Sequence, residues 1–267
     1  MFSIIEHMKR TAGIQSINKA LGILSLFTQS RPRLGITEIS NILNLPKGTV
    51  HGLARSLLQL GFLQQDSESR KYHLGLKIYE LGIILSGTLE INHKASGPAF
   101  QLAERTGLVS RIAIWDGNSA LVSLNINPRF PSLYIQQIGP RIPAYCSAVG
   151  KAILAYLEQR ELNGYIDRTA FASFTSHTII QSKRLLKELR DTRLRGYSID
   201  REETILGLTC IGAPIFGRGR GLKGSISISG DSVRFRGKKI EGLVDKLLKT
   251  AGEISRSMGY FPEALEA

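Results

Sequence analysis

Cysteine, tryptophan and methionine are all scarce in this chain, at two, one and three in 267 residues. Cys146 and Cys210 do not form a spaced framework, which excludes a disulfide-stapled secreted fold. No apolar stretch reaches the roughly 20 residues of a membrane span; the uncharged run from Thr204 to Gly217 is too short and is broken by Gly and Pro. The segment Phe2–Ile5 is too short for a signal-peptide core, so a cytoplasmic protein with no membrane partner is expected. The five histidines (His7, His51, His73, His93 and His177) include no i, i+4 pair and no Cys/His cluster. No metal site and no cofactor is therefore expected.

Acidic residues are also in deficit, with 22 against 35 Lys and Arg and a formal charge of +13. A polyanionic partner, most simply nucleic acid, fits that balance. The excess is denser at the start, where residues 1–75 hold nine basic and four acidic side chains; the remaining 192 hold 26 and 18. An apolar fraction of 42% suffices for a core, and the length allows two ordinary domains.

From Ser16, a candidate N-cap, Ile17, Ala20, Leu21, Leu24 and Phe27 fall on one helical face. A second helix is expected from Thr37, burying Ile39, Ile42 and Leu43. After the Leu45-Pro46 turn a third runs to Leu60, with Val50, Leu53, Ala54 and Leu57 inward and Gly61 as its stop. Two strand-like runs, Phe62–Gln65 and Lys71–Leu74, flank a polar turn. This order is that of a winged helix-turn-helix. On the third helix Lys47, Gly48, Thr49, His51, Gly52 and Arg55 avoid the packing face and become the candidate groove contacts, with Arg70 and Lys71 on the wing. A solvated face of a protein-interaction domain is the alternative.

Leu76–His93 reads as a connecting helix. Val109–Trp115 and Ala120–Ile126 form a hairpin around Asp116-Gly-Asn-Ser119. Ser147–Leu157, Ser182–Arg195 and Lys239–Met258 read as helices, Cys210–Phe216 and Ser225–Ser229 as strands. The class is α+β. The expected boundaries are a tail over 1–13, a DNA-binding domain over 14–75, a connecting helix over 76–94, a second, α+β domain over 95–260 and a tail over 261–267.

The chain resembles the IclR family of bacterial transcriptional regulators. The likeness is carried by Gln15-Ser-Ile-Asn-Lys-Ala-Leu-Gly-Ile-Leu24, Leu45-Pro-Lys-Gly-Thr-Val-His51 and Tyr72-His-Leu-Gly75. It resumes in Arg141-Ile-Pro143, Gly150-Lys-Ala152, Arg195-Gly-Tyr-Ser-Ile-Asp200, Glu203, Gly207 and Ser225-Ile-Ser-Ile-Ser-Gly230. The resemblance implies a GAF-like α/β effector domain with a mainly antiparallel sheet, assembly as homodimers or dimers of dimers, and a double-stranded DNA operator. It also implies a small-molecule effector held by Ala148, Val149, Asp200, Cys210, Ser227 and Ser229. Gly48 and Gly52 stand where the family commonly has Ser and Arg, and Leu108 where an acid is common.

Read without the family, Ser227 and Ser229 share one face of a strand and Ile226 and Ile228 the other. Turned inward, the hydroxyls need a polar ligand; turned outward, they are surface serines. Cys210 reads equally as a small core residue. Arg111, interrupting an apolar strand, is read as an exposed strand residue, with a ligand counter-charge as the alternative. The Ser147–Gly150 helix start favours an anion, hence a carboxylate or similarly polar metabolite. The glycines of Gly219-Arg-Gly221-Leu-Lys-Gly224 read as a hairpin turn, because a strand follows them where a dinucleotide site needs a helix. The function expected is a ligand-controlled, DNA-binding regulator, more often a repressor, and not an enzyme. The alternative is a small-molecule-binding enzyme with an N-terminal interaction module, for which Cys146 and His177 are the one conceivable nucleophile pair.

Overall fold

The structure, a computed structural model, describes residues 13–129 and 141–261. The expected tails, 1–13 and 261–267, lie outside the described residues except for Gly13 and Phe261. The chain divides into two compact units, residues 1–88 and 89–267.

In the first unit, α1 (Gln15–Leu24), α2 (Ile36–Leu43) and α3 (Lys47–Gln59) precede a hairpin of β1 (Leu63–Gln65) and β2 (Tyr72–Leu74). Ile23, Leu26, Leu34, Ile39, Val50, Ala54 and Leu63 form its core. α1 has no side-chain cap: Ser16 lies inside the helix and Ile14 takes the N-cap position. Its buried face is also rotated from the one the pattern suggests. Ile23 and Leu26 are sealed, whereas Ile17 and Leu21 are exposed beside Ile14. Periodicity finds an apolar stripe but cannot say which stripe meets this core. α2 begins where the Glu38 carboxylate accepts the Gly35 N–H at 2.6 Å, one half of a capping box. Gly61 ends the α3 segment with φ +76, a value that only glycine adopts freely. Leu34 exchanges two backbone hydrogen bonds with Tyr72, a third strand-like rung on the wing that sequence reading passed over.

The connecting helix is shorter than expected. α4 covers Leu76–Thr88; Leu89 is extended, and α5 (Glu90–Thr106) starts afresh. The break has a packing cause, since Leu89 turns onto the core of the second unit. None of the residues of α4 is buried.

The second unit is built on a six-stranded antiparallel sheet of order β5-β4-β3-β8-β7-β6. Its strands are β3 (Val109–Trp115), β4 (Ala120–Ile126), β5 (Arg141–Ile142), β6 (Ser198–Arg201), β7 (Leu208–Phe216) and β8 (Leu222–Asp231). α5 and α9 (Lys239–Ser257) cover one face through Ile112, Ile211, Ile226, Ile228 and Leu247. The other face packs against α6 (Ala148–Leu154), α7 (Gln159–Arg168) and α8 (Ser182–Arg195). At the β3–β4 turn the Asp116 carboxylate accepts the N–H groups of Asn118 and Ser119 at 3.0 and 2.7 Å, an Asx turn. The glycine-rich stretch after Phe216 is the expected β7–β8 turn.

Candidate DNA interface and ligand cavity

The apolar spacing of α3 decides what it can present. Val50, Ala54 and Leu57 are buried, so Lys47, Gly48, Thr49, His51, Gly52 and Arg55 are all left in solvent. Lys47, His51 and Arg55 recur every four residues and share a face. His51 and Arg55 line an open groove of about 650 Å³ together with Arg70 and Lys71 of the wing and Thr37 and Glu38 of α2. The wing tip is fixed locally. The Asp66 carboxylate accepts the Ser69 N–H at 2.8 Å, and Arg70 takes up φ +56. Lys71 pairs with Glu38 at 3.2 Å, both exposed. Such pairs are worth about 0–1 kcal/mol, so a phosphate can displace the carboxylate. No neighbour lies within 4 Å of a side chain grown from Gly48 or Gly52, so intramolecular packing does not require glycine there.

In the second unit, the side of the sheet facing α6 is unusually polar. Three serines alternate along β8 and do different work. Ser225 donates to the Val149 carbonyl at 2.9 Å and so docks α6 on the sheet. Ser227 lines a cavity of about 200 Å³. Ser229 accepts a hydrogen bond from the Arg111 guanidinium at 2.5 Å. Ile226 and Ile228 are wholly buried on the opposite face, as their alternation requires. The close approach of α6 needs glycine on β7: a Cβ on Gly212 would lie 2.7 Å from the Ala148 carbonyl oxygen.

Ala148, Val149, Asp200, Cys210 and Ser227 all border this cavity. Ser229 does not line it and stands behind Arg111. Arg111 is half-buried and part of the cavity wall, so the exposed-strand reading fails. Its register explains why: Arg111 pairs with Ser227, on the face turned to α6. Sequence reading also passed over Phe174, Thr204 and Ile205, which enter from loops with no periodicity to mark them. The Asp200 carboxylate accepts the Glu203 N–H at 2.7 Å and the Thr204 hydroxyl at 2.9 Å. Burial still raises its pKa above the ordinary aspartate value. Burial likewise pushes the thiols of Cys146 and Cys210 up to about 12. That is the reverse of an activated thiolate, and His177 is exposed, so the pair has neither the acidity nor the enclosure of a nucleophilic site. Lys151, in the Gly150-Lys151 dipeptide, is committed to Glu203 and the Ile199 carbonyl. Among the described residues no group of three or more His, Cys, Asp or Glu is placed to hold a metal ion, and no helix is long and apolar enough to cross a membrane.

A winged helix with a solvent-facing basic recognition helix, followed in the same chain by an α/β domain whose largely apolar cavity carries a few polar groups (Arg111, Asp200, Thr204 and Ser227), defines a DNA-binding transcriptional regulator under small-molecule control. Residues 16–67 match the IclR helix-turn-helix domain, and residues 85–256 match the bacterial transcriptional regulator IclR C-terminal domain. The chain belongs to the IclR family. It is 32% identical over 247 residues to the HTH-type transcriptional regulator XynR of Escherichia coli, covering 92% of this chain and 98% of that one. It is 31% identical over 252 residues to KdgR of the same organism, covering 94% and 95%. Among solved structures, the Thermotoga maritima IclR superposes with a TM-score of 0.70 at 28% identity, covering 93% of this chain and all of that one.

Proposed function

We propose that this protein is a cytoplasmic repressor that binds its operator through α3 and the wing and responds to a small carboxylate entering the cavity of the second unit. The observation that carries the reading is the shared groove of His51, Arg55, Arg70 and Lys71, which sets basic side chains of the recognition helix and of the wing on one open surface. Arg55 and His51 read base edges; Lys47, Thr49, Arg70 and Lys71 meet phosphates; Gly48 and Gly52 let the backbone come close. Asp200, Cys210, Ser227 and the start of α6 at Ala148 and Val149 contact the effector, and Ser229 acts through Arg111. The relative AllR of Escherichia coli, 29% identical over 247 residues, is named a repressor, which supports that sign of regulation here. The molecule is a regulator and not an enzyme.

Self-assembly belongs to the same proposal. Ile14, Ile17 and Leu21 of the α1 stripe are exposed, as are Leu76, Tyr79, Ile83, Ile84 and Leu85 of α4. Apolar surface of that kind is covered by a partner, and a second copy also supplies the second half-site contact that a lone winged helix lacks. Effector binding shifts the assembly between arrangements of different operator affinity.

The test is a fluorescence-anisotropy titration of the purified protein against the DNA upstream of its own gene, with unrelated DNA as competitor and at several salt concentrations. A salt-sensitive, sequence-preferring complex is expected. Binding of both DNAs with equal affinity, or of neither, overturns the reading.

A further inference from the structure

The cavity holds one feature that its hydroxyls and apolar wall do not explain. Arg111 lies on its wall with a single hydrogen bond, to Ser229, and no described carboxylate comes within ion-pairing distance of it. A guanidinium has five N–H donors in a planar fork, and leaving it inside a protein without an acid is costly unless something else pairs with it. Its desolvation is real: burial holds its pKa below the ordinary arginine value. The remaining charged groups near the cavity are accounted for. Lys151 is paired with Glu203, and Arg195 with Glu188 at 2.5 Å. Asp200, the one acidic side chain on the wall, sits on β6, three strands from Arg111 across β8 and β7. Cys210 lies between them, its thiol under the field of both.

We infer that Arg111 is the residue that selects the effector by charge: it anchors a single carboxylate in a bidentate fork, with Ser229 holding the fork in place. This rests on the cavity being the effector site and adds the ligand's charge and size. One uncompensated cation accepts one anion, and the Asp200 carboxylate on the other wall repels a second. The ligand is therefore a monocarboxylate and not a dicarboxylate. Between the two charged ends the wall is apolar, with Ile142, Val149, Phe174, Ile205 and Leu208. A volume of about 200 Å³ compares with the ~150 Å³ of an engineered cavity that takes up benzene. The body of the ligand is thus apolar and about the size of one ring or a short branched chain. Arg111 is not among the positions that the family resemblance marks for effector contact.

Calorimetric titration of the full-length protein with benzoate, 3-methylbutanoate and pyruvate, each beside its primary amide, and with terephthalate and succinate as dianions, tests this. At least one monocarboxylate is expected to bind roughly tenfold or more tighter than its amide, the scale of a hydrogen bond to a charged group, and both dianions to bind more weakly. Arg111→Met should abolish the acid-over-amide ratio, Arg111→Lys should keep part of it, and Ser229→Ala should reduce it. Ser227→Ala should weaken acid and amide by a similar factor. Should Arg111→Met fail to fold, the Lys and Ser229→Ala variants carry the test. An unchanged acid-over-amide ratio in the Arg111 variants overturns the anchor, as does tighter binding of the amides. If those amides are weakened by Ser227→Ala, the cavity remains the effector site and only the anchor falls. If nothing in the panel binds, or Ser227→Ala alters no binding at all, the anchor and the cavity reading fall together.

Discussion

Lys151 and Glu203 form an ion pair with side chains only 1% and 6% exposed. The ammonium also meets the Ile199 carbonyl, while the second carboxylate oxygen of Glu203 is buried without a hydrogen-bond partner among the described residues. The pair ties α6 to the segment after β6, the two stretches that carry the cavity residues Val149 and Thr204.

Removing Lys151 leaves the Glu203 carboxylate buried without its cation, whereas removing Glu203 still leaves Lys151 with Glu188 at 3.8 Å. Lys151→Ala is expected to cost about 3–5 kcal/mol of stability, and Lys151→Met/Glu203→Leu much less than the sum of its single changes. Urea unfolding of the four proteins checks this; strict additivity would show that the pair contributes no coupling.

Asp200 provides a pH signature. Its folded pKa is raised, first by burial. Between the unfolded and folded values the native state then binds more protons than the unfolded one, so this residue's contribution to stability declines as pH rises through that interval. Asp200→Asn removes the decline. The stability of the variant relative to the parent should therefore improve as pH rises above the ordinary aspartate range, read as urea midpoints. A difference independent of pH would show that Asp200 does not titrate in this way.

With both thiols pushed up to about 12, almost no thiolate exists at mildly alkaline pH. Cys146 and Cys210 should react only slowly with iodoacetamide in the native protein, and both should react readily once it is unfolded. Because Cys210 lines the cavity, the slow native labelling that does occur there should slow further with a bound effector. Rapid labelling of either thiol in the native state would contradict the burial described.

Arg55 and Lys47 should fail differently on DNA. Arg55→Ala is expected to cost about 1–3 kcal/mol on the preferred site and to relax sequence preference. Lys47→Ala should weaken all DNA alike and flatten the slope of log affinity against log salt by about one. Anisotropy titrations over a salt series separate the two patterns, and identical behaviour would remove the distinction between base and phosphate contacts.

Gly52 sits in mid-helix with open space about its Cα. Gly52→Ala should raise stability by about 1 kcal/mol and lower operator affinity, since the added methyl group points where the duplex comes close. Higher stability with unchanged DNA affinity would show that the duplex does not approach at this position.

What the sequence determined by itself was whatever depends on local pattern. The order of the winged-helix elements, the solvent face of α3 and the Asp116 hairpin follow from periodicity and turn chemistry, and the division of β8 into isoleucine and serine faces follows from strand alternation. These are properties of neighbours along the chain. Tertiary packing decided the rest. Whether Ile17 or Ile23 of α1 is buried depends on where α2 and α3 lie, and the helix break at Leu89 depends on the core that the residue joins. Arg111 had two compatible readings until strand pairing put it opposite Ser227 on the enclosed face. The cavity draws its wall from β3, β5, β6, β7, β8, α6 and the loops that carry Phe174 and Thr204, and no spacing along one strand encodes a volume enclosed by segments so far apart in the chain.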